Sequence, residues 1–231
     1  MKNRKIAIIP SRGGSKRLPK KNILIIDSKP LLGHTIEQAF AANLFSNIIV
    51  STEDIEIINI AKSYNAEIHI RSANLASDAA TVADVCVAVL TEYFENPDDE
   101  VECFCVLIPT SILRTPDDIK RSYDIFSNGY DYTISVSEYF FYPHAALIVS
   151  EDGVPSYFWP EIATKKGQEV PKLVVENGAI NWCKTKAFLA NNKLLGQNGS
   201  VYLMPKYRSI DVDTEEDFVV LKALYNQLIK I

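Results

Sequence analysis

The stretch IIPSRGGSKRLPKKN, residues 8–22, joins the end of an apolar run to a pair of glycines and a group of basic side chains. The run itself, KIAII at 5–9, is rich in β-branched residues and predicts a buried strand. Five cationic side chains fall between Arg12 and Lys21, although the whole chain has a formal net charge of −5. A strand that leads into a basic, glycine-containing loop indicates an anion site beyond the carboxyl end of that strand.

The rest of the first half alternates short β-branched runs with helical stretches. The predicted strands are 47–51, 67–70, 103–108 and 132–137, and the predicted helices are about 32–42, 53–64, 80–94 and 116–126. Thr115-Pro116-Asp117-Asp118 is typical of a helix start, with a capping hydroxyl, proline at the first helical position and acids in the first turn. This alternation predicts an α/β fold with a mostly parallel sheet covered on both faces. Residues 10–22 and 109–114 then follow carboxyl ends of strands, where such sheets bind ligands.

The alternation breaks at an aromatic and proline-rich segment that begins near residue 138. Because Glu151-Asp152-Gly153 predicts a turn between two extended pieces, we interpret 138–176 as an insertion, partly a β-ribbon, in a single domain that spans 1–231. The apolar surface of 138–160 is too large for a monomer in water, which predicts a homodimer whose interface includes this insertion. The α/β pattern then returns, with predicted extended segments at 178–183, 200–204 and 208–212 and a final helix at about 215–229.

Composition limits the class of protein. With 231 residues and 47% hydrophobic composition, the chain can build one sizeable α/β core. Its pI of about 5.3 argues against a nucleic-acid-binding protein, which is usually basic over a whole face. No run approaches the roughly 18 apolar residues of a membrane span and no signal pattern is visible, so we expect a cytoplasmic protein without a membrane partner. The cysteines show no CxxC spacing and are expected to be reduced core thiols: Cys86, Cys103, Cys105 and Cys183.

The glycine pair makes the basic loop a candidate phosphate site. Backbone N–H groups of a glycine-rich turn can converge on phosphate oxygens, because glycine lacks the Cβ that would block close approach. Arg12, Lys16 and Lys21 would supply the countercharge for a triphosphate. Neither the GxxxxGK[ST] phosphate loop nor the dinucleotide fingerprint GxGxxG is present. On composition alone, a solvated basic turn without a ligand is an equal alternative.

A pair of aspartates near the end of the chain is a candidate metal site. In an extended Asp211-Val212-Asp213 the two carboxylates point to the same face. Mg²⁺ prefers one or two carboxylates together with phosphate oxygens and waters. The alternative is helix capping, because Thr214 and Asp217 resemble a capping box in which Asp replaces Glu. The residues alone leave the two roles equally open.

Five segments resemble, in order and spacing, motifs of the CMP-sialic acid synthetases, the acylneuraminate cytidylyltransferases. They are IIPSRGGSKRLPKKNI at 8–23, RSANLASDAATVAD at 71–84, IPTSILRTPDDI at 108–119, ENGAIN at 176–181 and SIDVDTEEDF at 209–218. The first is the strongest, because its likeness is nearly continuous over its whole length. Together the segments span essentially the whole chain.

The resemblance implies a Rossmann-like nucleotidyltransferase fold, CTP and a nine-carbon 2-keto sugar acid as substrates, Mg²⁺ or Mn²⁺ as cofactor, and a homodimer. The nucleotide-binding positions would be Arg12, Gly13, Gly14, Ser15, Lys16, Lys21, Asn22, Arg71, Ser77, Asp78, Ala80 and Thr81. The sugar-binding positions would be Thr110, Ser111, Arg114, Asn177, Gly178 and Ala179, to which we add Lys172 as the nearest basic residue before Asn177. Asp211 and Asp213 would hold the metal, and the catalytic residues would be Lys21, Arg12 and Asp211.

The implied reaction is attack of the sugar's anomeric hydroxyl on the α-phosphorus of CTP, with pyrophosphate as leaving group. Lys21 and Arg12 would stabilise the pyrophosphate, and Mg²⁺ would polarise the α-phosphate. No general base is evident from the sequence. His34 and His69 fall in predicted elements and are expected to be structural, whereas His144 is a candidate for the substrate pocket.

The sequence departs from the sialic acid enzymes at the sugar end. Ile108 stands where their pattern has a glutamine, and Val175 stands where it has an arginine. Trp182 and the segment FFYPHAALIVSEDG at 140–153 are similar instead to the pseudaminic acid cytidylyltransferases. We therefore predict a nonulosonic acid cytidylyltransferase whose sugar is of pseudaminic, legionaminic or sialic type. The alternatives are a CMP-Kdo synthetase-like enzyme, another sugar nucleotidyltransferase, or a non-catalytic nucleotide-binding module of the same fold.

Overall fold

The computed structural model describes residues 4–93 and 100–229. Its strands are β1 (Arg4–Pro10), β2 (Ile25–Ile26), β3 (Lys29–Pro30), β4 (Asn47–Thr52), β5 (Glu67–Ile70), β6 (Val101–Val106), β7 (Tyr132–Glu138), β8 (Leu147–Val149), β9 (Pro155–Tyr157), β10 (Val174–Lys184) and β11 (Gly199–Leu203). Its α-helices are α1 (Leu31–Ala42), α2 (Ile55–Ser63), α3 (Val82–Ala88), α4 (Pro116–Phe126), α5 (Pro160–Ala163), α6 (Thr185–Leu189) and α7 (Glu215–Ile229). A π-helical turn, Val89–Tyr93, continues α3.

Seven strands form the central sheet, in the order β11-β7-β10-β6-β1-β4-β5. Neighbouring strands are parallel except at β10, which runs antiparallel to both β6 and β7. The carboxyl ends of the six parallel strands therefore meet at one edge, together with the beginning of β10. The predicted α/β fold with a mostly parallel sheet is confirmed, and this shared edge is where such sheets bind ligands.

Strand β1 lies inside the protein because both of its faces are covered. Ile6 and Ile8 pack on one face with side chains of α3 and α6, while Ala7 and Ile9 pack on the other with side chains of α1, α2 and α4. A strand buried on both sides needs a continuous apolar run rather than an alternating one, which explains KIAII at 5–9.

A third apolar cluster brings distant parts of the chain to the carboxyl edge of the sheet. Leu18 of the basic loop and Val212 of the aspartate segment belong to it, together with Leu221 and Tyr225 of α7. Leu18 is 6% exposed and Val212 is fully buried. Burial of an aliphatic side chain is worth on the order of 2 kcal/mol, so this cluster contributes to holding the two polar segments side by side.

The elements largely agree with the sequence predictions, with one correction. The prediction of an extended segment at 208–212 that continues the sheet is wrong. Lys206–Arg208 is a short 3-10 turn, and residues 209–213 lie in neither helix nor strand. Pro205 follows β11 closely and has no N–H for a strand ladder, which agrees with a chain that leaves the sheet there. The predicted helix 80–94 begins at Val82 after a Thr81 cap, and its last residue lies outside the described residues.

The insertion contains the expected β-ribbon. Strands β8 and β9 pair antiparallel, and the turn between them has Gly153 at a φ of +80°. Val174, the first residue of β10, pairs with Glu138, the last residue of β7, so the two ends of the insertion are neighbours in the sheet.

Two further findings concern the cysteines and the helices. All four cysteines are buried free thiols, as predicted from their spacing. Among the residues that the structure describes, no helix has the length and apolar character of a membrane span.

Candidate functional site

The basic loop begins where β1 ends, and its glycine is required by a close contact. The Gly13 N–H donates to Oε1 of Glu53 at 2.8 Å. A Cβ on Gly13 would lie 2.4 Å from Oδ2 of Asp54, closer than any real contact, so another side chain would displace the loop. Gly14 is exposed with open space around it. The loop therefore presents backbone at the carboxyl edge of the sheet.

Two cations of the loop share one carboxylate from the segment before α3. Arg12 Nη1 and Lys16 Nζ lie 2.8 and 2.5 Å from the two oxygens of Asp78. The hydrogen bonds from Lys16 and Arg12 hold the pKa of Asp78 below its usual value. The structure thus joins three of the predicted nucleotide-binding residues in one group of ion pairs.

The other end of the loop contacts the aspartate pair. Lys21 Nζ donates to Oδ1 of Asp213 at 2.8 Å and to the Val212 carbonyl oxygen at 3.1 Å. Arg17 Nη2 lies 2.7 Å from Oδ2 of the same carboxylate. Partial burial acts to raise the pKa of Asp213, but the hydrogen bond and charge of Lys21, with those of Arg17, outweigh it and lower the pKa. Asn22 is buried and donates to the Arg12 carbonyl oxygen at 3.0 Å, which closes the loop.

Asp211 faces the loop that follows β6. Its Oδ1 accepts a 2.6 Å hydrogen bond from Thr110 and one from the backbone N–H of Val212. Val212 is fully buried between the two aspartates, so their position relative to the core is set by an apolar anchor. The capping interpretation also holds, because Thr214 and Asp217 form reciprocal hydrogen bonds at the start of α7. Capping occupies Thr214 and Asp217 and leaves the carboxylates of Asp211 and Asp213 to other partners.

The residues from Arg71 to Thr81 lie at the same edge of the sheet, and some of them are buried while others are exposed. Arg71 is buried, its Nε donates to Ser51 Oγ at 3.1 Å, and burial lowers its pKa. Ser77 donates to the Asn74 carbonyl oxygen, and Thr81 caps α3 through a box with Asp84. Ala80 is half-buried between them.

Arg114 and Asn177 support the neighbouring loops from within. The guanidinium of Arg114 is 1% exposed and donates to the carbonyl oxygens of Ile108 and Ala179, and burial lowers its pKa to about 10. Asn177 Oδ1 accepts from Ser135 and from the Ala179 N–H, and its amide donates to Ser209. These contacts give both side chains a supporting role in the structure, and direct contact with a sugar stays a prediction.

The remaining predicted sugar-binding positions cluster around these two. Gly178 has a φ of +66°, a conformation that favours glycine, and a Cβ there would lie 3.6 Å from Cγ1 of Ile108. Thr110 and Ser111 are buried, and Ser111 Oγ has no hydrogen-bond partner among the described residues.

A cavity of about 440 Å³ lies where the insertion leaves the sheet. It includes the ends of β7 and β11 and the start of β10, and two of its lining residues, Lys172 and His144, were predicted to contact substrate. Lys206 also lines it and lies 5.6 Å from the ring of Phe140. The other two histidines have structural contacts, as expected: His34 with the Ile26 carbonyl oxygen and His69 with Ser51.

Sequence reasoning missed several residues that shape this edge. Arg17 lies in the basic loop but matches no phosphate motif, and only its ion pair with Asp213 reveals it. Glu53, the first residue after β4, accepts from the Gly13 N–H, and Arg208 of the 3-10 turn binds Asp118. No local pattern signals these two residues, because their partners are distant in the sequence.

A mostly parallel sheet whose carboxyl edge carries a glycine-containing basic loop and a carboxylate pair defines an α/β nucleotide-binding protein. Comparison with known families then narrows the class. A sequence model of the family described as "Cytidylyltransferase" matches residues 6–158. The chain therefore belongs to the cytidylyltransferase family, and its class of activity is nucleotidyl transfer.

Relatives are similar over nearly the whole chain. It is 31% identical over 227 residues to the pseudaminic acid cytidylyltransferase of Campylobacter jejuni, with 97% of each chain covered. It is 30% identical to the CMP-N,N'-diacetyllegionaminic acid synthase of Legionella pneumophila, with 95% of each covered. It is 32% identical to the N-acylneuraminate cytidylyltransferase of Streptococcus agalactiae, covering 93% of this chain and 51% of that protein.

A solved structure confirms the fold. The CMP:2-keto-3-deoxy-manno-octonic acid synthetase complexed with CTP superposes with a TM-score of 0.71, covering 97% of this chain and 99% of that one at 17% identity. At this identity the likeness concerns the fold alone.

Proposed function

We propose that this protein transfers the cytidylyl group of CTP to a nonulosonic acid and releases pyrophosphate. The observation that supports this best is the meeting of the basic loop and the aspartate pair at one edge of the sheet, through the 2.8 Å contact between Lys21 and Asp213. A polyphosphate needs cations, and a metal-assisted transfer needs carboxylates. The presence of both carboxylates argues against a module that only binds nucleotide.

In the proposed complex, phosphates displace the carboxylate partners of the loop. Arg12 and Lys16 would bind phosphate oxygens in place of Asp78. The Gly13 N–H would donate to a phosphate oxygen in place of Glu53. These groups are already aimed at an anion, so little reorganisation is needed when the nucleotide binds. Lys21, at the far end of the loop, would stabilise the charge that develops on the leaving pyrophosphate.

The donor set of the aspartate pair fits Mg²⁺. Asp211 is exposed and the Asp213 side chain is one-third exposed, so both carboxylates are accessible beside the basic loop. Two carboxylates plus phosphate oxygens and waters are a typical magnesium environment. The bound ion would supply charge neutralisation at the α-phosphate.

The chemical step forms the bond from the anomeric oxygen of the sugar to the α-phosphorus and breaks the bond from that phosphorus to the bridging oxygen. The electron pair leaves with pyrophosphate, and the hydroxyl proton leaves to solvent or to a base that the residues do not identify. The protein's contribution is then positioning and electrostatic stabilisation. Thr110, which donates to Asp211, would fix the orientation of that carboxylate during the transfer.

The sugar would bind along the first half of β10, with one part in the cavity beside the insertion and another part against Ile108 near Gly178. The lining of the cavity combines aromatic side chains with two lysines, Lys172 and Lys206, which suits a sugar acid that carries apolar substituents and one carboxylate. We propose a pseudaminic, legionaminic or sialic type of sugar acid, with the relatives' names as support. We also propose a homodimer in the cytoplasm, since the insertion exposes a large apolar surface, with Phe141 at 88% and Tyr142 at 74% exposure.

Pyrophosphate release tests the proposal. The protein should release pyrophosphate from CTP only when a nonulosonic acid and Mg²⁺ are present, and a panel of nucleotides and sugar acids identifies the pair. Release with 2-keto-3-deoxy-octonic acid in preference to nine-carbon acids would contradict the proposed substrate class. Binding of CTP without turnover on any sugar acid would contradict catalysis.

A further inference from the structure

The segment that carries the aspartate pair has no sheet to hold it. After β11 ends at Leu203, the chain makes a 3-10 turn, and residues 209–213 belong to neither helix nor strand. A strand would be positioned by its ladder of backbone hydrogen bonds. Here side-chain contacts must do this work, and one of them is made by Arg208, three positions before Asp211.

That contact is a two-point ion pair between Arg208 and Asp118. Arg208 Nη2 lies 2.9 Å from Oδ1 of Asp118, and Nη1 contacts Oδ2. Nη1 also donates to the Leu113 carbonyl oxygen at 3.3 Å. The planar fork of an arginine on a carboxylate fixes direction as well as distance, which a single contact cannot do.

Asp118 is itself held in place by two other elements. Its Oδ2 accepts from the backbone and hydroxyl of Thr115, which caps α4, and its Oδ1 accepts a 2.7 Å hydrogen bond from Tyr202 at the end of β11. The residue is only 2% exposed. A buried carboxylate of this kind is tolerated only when its hydrogen-bonding positions are filled, so the arrangement is stiff.

The Arg208–Asp118 ion pair and the aspartate pair are linked through the same short segment of the chain. Arg208 contacts Leu113 in the loop after β6 and Asp118 in the first turn of α4. Three positions after Arg208, Asp211 accepts a 2.6 Å hydrogen bond from Thr110 of that loop. Ser209, between them, accepts from Asn177. The segment is therefore attached at two points to the stretch from Thr110 to Asp118. Asp211 lies at the second point, while the carboxylate of Asp213 is held by Lys21 and Arg17 of the basic loop.

We propose that Arg208 and Asp118 are a positioning pair that sets the geometry of Asp211 and Asp213 for the metal. The inference rests on the metal role under Proposed function, and neither residue touches the metal or the substrates. Mg²⁺ requires near-ideal octahedral geometry, so a small shift of the two carboxylates weakens binding even when both remain present. Mn²⁺ serves as a probe for the same site.

Arg208→Lys tests the proposal, because it keeps the positive charge and removes the fork. Mn²⁺ binding in the presence of CTP, followed by electron paramagnetic resonance, should weaken about 10- to 100-fold, as is usual for residues that orient metal ligands. Turnover should recover at high Mn²⁺, because the carboxylates themselves are intact. Tyr202→Phe removes one hydrogen bond to Asp118 and leaves the fork, so its Mn²⁺ affinity should fall by a smaller factor.

Lys184→Met is the matched control. It breaks the 2.8 Å ion pair between Lys184 and Asp131, which lies away from the aspartate segment, and should lower the melting temperature without changing Mn²⁺ affinity. Wild-type Mn²⁺ affinity in Arg208→Lys and Tyr202→Phe would overturn the positioning role, as would equal weakening in Lys184→Met. A wild-type protein that binds CTP but no Mn²⁺ would instead overturn the metal role and this inference with it.

Discussion

The Nζ atom of Lys21 lies 2.8 Å from Oδ1 of Asp213, although 192 positions separate the two residues. The apolar contacts of Leu18 and Val212, their near neighbours in sequence, bring both segments to the same cluster. If a phosphate binds Lys21, the carboxylate of Asp213 loses this cation as a partner. If Asp213 binds a metal, nucleotide and metal therefore favour each other's binding.

The loss of one loop cation should damage catalysis. We expect Lys21→Ala and Arg12→Ala each to lower kcat/KM for pyrophosphate release, by an amount equivalent to about 2–4 kcal/mol of transition-state stabilisation. Lys29→Ala is the control, because Lys29 pairs with Glu37 at the surface, and it should retain activity. Wild-type turnover in Lys21→Ala and Arg12→Ala would mean that the loop is a solvated basic turn.

The aspartate pair should control the metal requirement. Asp211→Asn and Asp213→Asn should raise the Mg²⁺ concentration needed for half-maximal activity while the melting temperature stays near that of the wild type. Thr214→Ala separates capping from catalysis: it should cost about 1 kcal/mol of stability and leave the metal requirement unchanged. If Asp213→Asn lowers only the melting temperature, Asp213 has a structural role instead.

Acid should destabilise the protein partly through Asp118. Burial acts to raise the pKa of this carboxyl, but hydrogen bonds from Arg208, Tyr202 and Thr115 outweigh it and lower the pKa. Stability from such a group is complete above the unfolded-state pKa of about 3.9 and is lost as pH falls through the folded-state pKa. Urea unfolding should show a shallower loss of stability in acid for Asp118→Asn than for wild type. Parallel pH curves would contradict this assignment.

The insertion should hold two copies together. Light scattering at micromolar concentration should show a dimer, and Phe141→Asp should shift it to monomer, because a charge on an 88% exposed aromatic opposes apolar contact. Phe40→Asp, at an exposed aromatic of α1 outside the insertion, should leave the dimer intact. A monomeric wild-type protein would refute the prediction.

The sugar preference should follow the apolar positions near Gly178. With Ile108 and Val175 in place of polar residues, kcat/KM for a 9-deoxy diacylamino sugar should exceed that for N-acetylneuraminic acid by at least about tenfold, roughly 1.4 kcal/mol. Ile108→Gln with Val175→Arg should narrow the difference. Equal or better activity of the wild type on N-acetylneuraminic acid would place the enzyme with the sialic acid activators.

Most of the architecture could be predicted because its signals are local. KIAII at 5–9 and the Thr115-Pro116 helix start are readable from hydrophobic pattern and capping chemistry alone. The prediction for 208–212 was wrong for a related reason. An alternation of apolar and acidic residues indicates a strand, but here Val212 lies in a loop and packs into the third apolar cluster. Local pattern cannot distinguish these cases, because the difference lies in whether a neighbouring strand is present.

The candidate site was only partly predictable. The basic loop and the aspartate pair are recognisable in the sequence, but their mutual contact depends on the third apolar cluster, whose members are far apart in the chain. The sequence does not reveal that the guanidinium of Arg114 donates to buried carbonyl oxygens, and its predicted contact with the sugar stays a prediction. A motif identifies a candidate residue, but only the folded structure shows which atoms its side chain contacts.

The pairing of Val174 with Glu138 has a consequence for how this protein can diversify. The insertion leaves and re-enters the sheet at adjacent positions about 5 Å apart. A segment whose ends already meet can be lengthened, shortened or exchanged at a small cost in loop-closure entropy and without a change of strand register. If the acceptor sugar binds beside the insertion as proposed, exchange of this segment can change acceptor specificity while the basic loop and the aspartate pair stay the same.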